Sequence, residues 1–197
     1  MSTNRKYYNQ FGKPITEEQK NELTSYKEDI FVNEDLRKRI EYYNNSIKSI
    51  HFYLFASETV ISVLPELSSP EYQNAFVKII EKSTIGSYSC TIFTLFEPGL
   101  VNSNLTEKKL YDSTGKLLCD QLVDSISNAI IETFKYFYPE GSNYGIECQY
   151  HEGQLDTVEN YSPINPKLNV SEYLTIYPNF LVDNPYYGTD SFLPLLA

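Results

Sequence analysis

Cys148-Gln149-Tyr150-His151 sets a thiol and an imidazole three residues apart, the types needed for a nucleophile with its base or for half of a metal site. On a strand, positions i and i+3 point to opposite faces, so the two groups would meet only across a turn or bulge. A zinc site needs further Cys or His ligands, and His51, Cys90 and Cys119 stand alone in the chain. His51 lies in Ile50-His51-Phe52-Tyr53 and reads as a sheet residue. Asp120 and Asp124 would share one helix face, but acids near a helix start are accounted for by the helix dipole. GxxxxGK[ST], GxGxxG, GxSxG and HExxH are all absent, which removes the usual support for nucleotide, dinucleotide, serine hydrolase and zincin chemistry. No catalytic residue, metal ligand or cofactor is assigned. A hydrolase or thiol enzyme using Cys148 and His151 stands only as an alternative.

Charge is more informative than motifs. The chain has 197 residues with 16 basic and 26 acidic side chains, a net of −10, so it lacks the basic face that a nucleic acid backbone requires. Residues 1–83 are nearly balanced, with 11 basic and 12 acidic groups, whereas residues 84–159 hold 4 and 11. Between 136 and 166 there is no Lys or Arg. Glu140, Glu147, Glu152, Asp156 and Glu159 are interleaved there with Tyr144, Tyr150 and Tyr161, the expected partner-binding set. Carboxylates steer a basic partner and tyrosines give rigid contact area, so a basic protein fits this stretch; a solvated acidic surface that aids solubility is the other reading.

The first residues have no apolar core of a secretory signal, and no apolar stretch reaches the roughly 20 residues needed to span a bilayer. A soluble, cytoplasmic protein without a membrane partner is expected. The three cysteines then read as reduced thiols, or as one disulfide and one free thiol. Asn-x-Ser/Thr triplets at Asn44, Asn104, Asn160 and Asn169 are expected by chance in so Asn-rich a chain.

The expected fold class is α+β, an antiparallel sheet packed against a long amphipathic helix over about 119–138 and one or two shorter helices. Leu122, Val123, Ile126, Ala129, Ile130, Phe134 and Phe137 fall on one stripe at helical spacing, with Pro139 and Gly141 to end it. Acids after Thr16 predict a helix over 17–28, Ser57 and Pro65 bound one over 58–64, and Ser69-Pro70-Glu71 opens one reaching Lys82. A hairpin is predicted at 36–54, a short hairpin or turn at 5–15, a hairpin or a tight strand-to-helix turn at 109–118, and strands at 86–97, 144–150 and 173–177. Residues 1–160 are expected as one domain. Residues 161–197, rich in Pro and Tyr, are expected as an arm packed on it, its apolar end Phe192-Leu193-Pro194-Leu195-Leu196 docking in a groove or on a second copy of the chain. A cup for a small apolar ligand beneath helix 119–138 is an alternative function.

Lys6-Tyr7-Tyr8-Asn9-Gln10-Phe11-Gly12-Lys13 and Lys109-Leu110-Tyr111-Asp112-Ser113-Thr114-Gly115-Lys116 repeat one pattern, with a looser copy over Ile40–Lys48 that lacks the glycine. These units resemble the Tyr-rich hairpins of bacterial polymorphic-toxin immunity proteins. The resemblance carries no functional residues. It implies a non-catalytic bacterial protein that binds and blocks a basic toxin, which is the expected function.

Overall fold

The structure is a computed structural model that describes residues 2–99, 105–140, 145–160 and 168–194. Its strands are β1 (Thr3–Asn9), β2 (Pro14–Ile15), β3 (Ser25–Val32), β4 (Asp35–Tyr43), β5 (Ser46–Tyr53), β6 (Phe76–Ile85), β7 (Tyr88–Phe96), β8 (Leu105–Tyr111), β9 (Leu117–Asp124), β10 (Ile130–Phe137), β11 (Ile146–His151), β12 (Gln154–Asn160) and β13 (Leu168–Asn169). They form a 13-stranded open sheet in the order β13-β12-β11-β10-β9-β8-β7-β6-β5-β4-β3-β1-β2. Chain neighbours therefore pair almost throughout. The parallel pair β5 and β6 is the crossover, and its connection holds the helix α2 (Val60–Leu67). The other helices are short: α1 (Glu17–Lys20), α3 (Val170–Ile176) and α4 (Phe180–Asp183). No helix among the described residues is long and apolar enough to cross a membrane.

The protein is thus mostly β, and the expected α+β class with a long helix over 119–138 is overturned. That stretch is the hairpin β9–β10. The inward face of β10 carries Thr133 and Lys135, both fully buried, and β9 buries Gln121 beside Cys119 and Val123. Polar types on the inward face hid the alternation. Ile126, which sits on the apparent stripe, is 74% exposed in the turn. There the Asp124 carboxylate accepts from the backbone N–H of Ile126 and Ser127 and from the Ser127 hydroxyl, and Asn128 takes φ of 58°. The apolar cup beneath the helix loses its roof and is not pursued.

Other elements differ for equally local reasons. The helix expected to reach Lys82 is a single 3₁₀ turn, Pro70–Tyr72, followed by β6, where Val77, Ile79 and Ile80 favour a strand. The helix expected over 17–28 is opened by a capping box between Thr16 and Gln19 but stops at Lys20, and β3 begins at Ser25. Helix α2 begins after its own box, Thr59 with Ser62, and runs through Pro65. Residues 173–177 lie in or end α3, which Asn169 and Glu172 cap, so they are not a strand. The hairpins at 5–15, 36–54 and 109–118 are present.

Two of the repeated units make the same turn. Asn9 N–H donates to the Lys13 carbonyl and its side chain accepts from Phe11 and Lys13, while Gly12 takes φ of 80°. Asp112 N–H donates to the Lys116 carbonyl and its side chain accepts from Thr114 and Lys116, while Gly115 takes φ of 85°. The glycine supplies the left-handed residue. The third copy turns differently, with Asn44 and Asn45 at φ of 49° and 58° in a two-residue hairpin. Asn45→Val is expected to cost about 1–2 kcal/mol in urea unfolding, and Asn45→Gly to be neutral or mildly stabilising.

Residue contacts divide the chain into two compact units, 1–82 with 92–106, and 83–91 with 107–197. In the first, α2 and the turn after it lay Val63, Leu67, Tyr72 and Ala75 on Ile40, Ile50, Phe52, Val77 and Ile79. Arg37 fastens α2 there: its guanidinium lies 4.0 Å from the Phe52 ring, pairs with Glu58 and Glu66, and donates to the Tyr53 carbonyl. In the second unit, α3, α4 and the following turn set Tyr173, Phe180 and Tyr187 on Ile146, Cys148, Tyr150 and Val158.

Candidate functional site

Strands β8 to β12 of the second unit have two chemically different faces. Register fixes which residues share each one. Toward α3 and α4 point Cys119, Lys135 and Cys148, side by side on β9, β10 and β11. Lys135 is fully buried; its ammonium donates to the Tyr186 carbonyl at 2.6 Å and lies 3.6 Å from the centre of the Tyr186 ring. Burial lowers its pKa to about 8, opposed by the neighbouring thiols and Asp190. Burial raises Cys119 to about 11 and Cys148 to about 12. The thiols flank Lys135 two strands apart, roughly 10 Å, which is beyond the reach of a disulfide. None of the three cysteines is in one.

The opposite face holds the acid. Tyr136, Glu147 and Glu159 align across β10, β11 and β12, and Asp120, Phe134, Gln149 and Thr157 form the next row across β9 to β12. Lys109 on β8 pairs with Asp120 at 2.6 Å and Glu107 at 2.8 Å, so two carboxylates share one ammonium. Burial disfavours its charge, but hydrogen bonds to Asp120 and Glu107 outweigh that and push its pKa above the ordinary lysine value. Four carboxylates and one ammonium thus stand among Tyr111, Phe134 and Tyr136, most of them half-buried. Glu147 and Glu159 are directly opposite across β11 and β12. Glu147 is 7% exposed and accepts from the Gln149 amide at 2.9 Å, and that amide's oxygen accepts from Thr157.

The expected partner-binding residues divide. Glu147 and Glu159 meet on the acidic face. Glu140 is exposed beyond β10, Glu152 is exposed in the β11–β12 turn at φ of 49°, and Asp156 is exposed where β12 bulges against β11. Tyr150 faces α3 and α4, buried, its hydroxyl donating to the Tyr187 carbonyl at 2.7 Å. Tyr144 and Tyr161 lie outside the described residues. The sequence places Tyr136 among these acids but does not bring Glu107, Lys109 and Asp120 to this face, because the misread helix at 119–138 hid the register that collects them.

Cys148 and His151 are not brought together: the thiol is fully buried beneath the helical layer, and the imidazole is 76% exposed on the other side of β11. His51 is in the first unit, in register between Arg39 and Lys78. Burial lowers its pKa. Among the described residues no group of three His, Cys, Asp or Glu side chains is arranged to hold a metal. No family model, curated protein or solved structure matches this chain.

Proposed function

We propose that this protein is a non-catalytic binding module that presents the acidic, tyrosine-bearing face of β8–β12 to a basic protein, and that it acts as an immunity-type inhibitor of a basic toxin. The observation that carries the reading is the alignment of Glu107, Asp120, Glu147 and Glu159 on one face of β8–β12, where the first two share Lys109, among half-buried aromatic rings. A cationic partner would pair with these carboxylates on docking. Tyr111 and Tyr136 would supply contact area with little rotamer entropy to lose.

A photo-crosslinker at position 136 or 159 is expected to capture the same basic protein from host extract, and one at exposed Ile61 of α2 to capture none of it. With that partner purified, Glu107→Lys with Glu159→Lys is expected to slow association tenfold or more at low salt and to flatten its salt dependence. An acidic or neutral captured protein, or an unchanged association rate, would sink the proposal.

A further inference from the structure

On the side of the sheet opposite the acidic face, the second unit holds a cleft of about 450 Å³ where α3 and α4 meet the end of β10, within the range of small-ligand sites. Its walls are aromatic: Phe137, Tyr173, Tyr177 and Phe180 line it, with Pro139 and Pro178 at the margin. The rings brace one another. Phe137 meets Phe180 edge to face at 5.4 Å, Tyr173 meets Phe180 at 5.1 Å, and Tyr173 lies 4.9 Å from Tyr177. Tyr173 and Phe180 are buried and fixed, while Tyr177 is 47% exposed and forms the open wall.

Among the described residues of the lining Asp183 is the charged one, and none is Lys, Arg or His. Asp183 ends the single turn of α4 and lines the cleft. The final turn of α3, Ile176 and Tyr177, also opens on the cleft and carries no basic residue. Aromatic rings and one carboxylate thus line the same space. We infer that this cleft binds an organic cation, a quaternary or alkylated ammonium group held by the aromatic walls and paired with Asp183. The assignment stands apart from the acidic sheet face and does not depend on a protein docking there.

Calorimetric titration of the full chain with choline, with 3,3-dimethylbutan-1-ol as its uncharged isostere, and with a trimethyllysine peptide tests it. Choline or the peptide is expected to bind at least tenfold more tightly than the alcohol, and the tighter of the two says whether the cation arrives free or on a protein. Asp183→Asn is expected to weaken the cation three- to tenfold and leave the alcohol unchanged. Tyr177→Leu, at a half-exposed position that should fold normally, is expected to abolish the preference for charge. Equal binding of choline and the alcohol, or no binding of either cation at 50 mM, would overturn the inference.

Discussion

Replacing Lys135 by Met is expected to make the protein lose about 2 kcal/mol more stability than the parent chain between pH 7 and pH 9.5. The folded pKa of Lys135 is about 8, below its ordinary 10.5. Between those values the unfolded chain holds a proton that the folded chain has released, so stability rises with pH. The rise amounts to about 2 kcal/mol by pH 9.5. Cys119 and Cys148 act in the opposite sense. Their folded pKa values, about 11 and about 12, lie above the ordinary 9.0, so from pH 9 upward the folded state retains protons that the unfolded chain loses. Together the two thiols remove a little under 2 kcal/mol by pH 9.5, which nearly offsets the lysine. Methionine fills a similar volume, keeps the contact with Tyr150 and Tyr186, and leaves only the loss. At pH 7 the two chains should lie within about 1–2 kcal/mol, because relief of the buried charge opposes the lost hydrogen bond to the Tyr186 carbonyl. Urea midpoints followed by circular dichroism at half-unit pH steps, with the slope constant, read the difference. Parallel curves for the two chains would show that Lys135 is not desolvated as its surroundings imply.

The same residue explains why the centre of the chain was illegible. A strand is recognised by apolar residues alternating with polar ones, but the inward row of β9 and β10 is Cys119, Gln121, Val123, Thr133 and Lys135. Each polar member is satisfied by a later part of the chain: Gln121 donates to the Thr133 hydroxyl and to the Asp190 carbonyl, and Lys135 to the Tyr186 carbonyl. The two carbonyl partners lie 51 and 69 residues away. No window of a dozen residues contains them. Where both the turn and the inward row are local and conventional, as at Asn44-Asn45 with Ile40, Ile50 and Phe52, the hairpin is read correctly.

The acidic site was legible by composition and not by geometry. The absence of Lys and Arg from 136–166 singled out Glu147 and Glu159. Composition has no register, so it grouped them with Tyr150, which the period of two sends to the opposite face beneath Tyr187. It missed Asp120 and Glu107, which the antiparallel order β8-β9-β10-β11-β12 brings beside them. Charge segregation along a chain becomes a surface only through strand order.

Strand order also decides the behaviour of the thiols. Cys119 and Cys148 are fully buried and Cys90 nearly so. At pH 7.5 a pKa of about 11 or about 12 cuts the thiolate fraction roughly 100-fold or 1000-fold below that of an ordinary cysteine, before access is counted. The proximity of Lys135 lowers both values, and burial outweighs it. The native protein is therefore expected to react with 5,5′-dithiobis(2-nitrobenzoate) at less than about one hundredth of the rate of free cysteine. Three equivalents should be released at once when urea unfolds it. The slow native reaction should track the equilibrium for opening, accelerating with sub-denaturing urea and slowing with added stability. His151, exposed on the other side of β11, is not placed to act as a base, so His151→Ala should leave that rate unchanged. A native thiol reacting as fast as free cysteine, mapped to Cys148 and slowed by His151→Ala, would instead make the pair a working nucleophile and base and displace the binding-module reading.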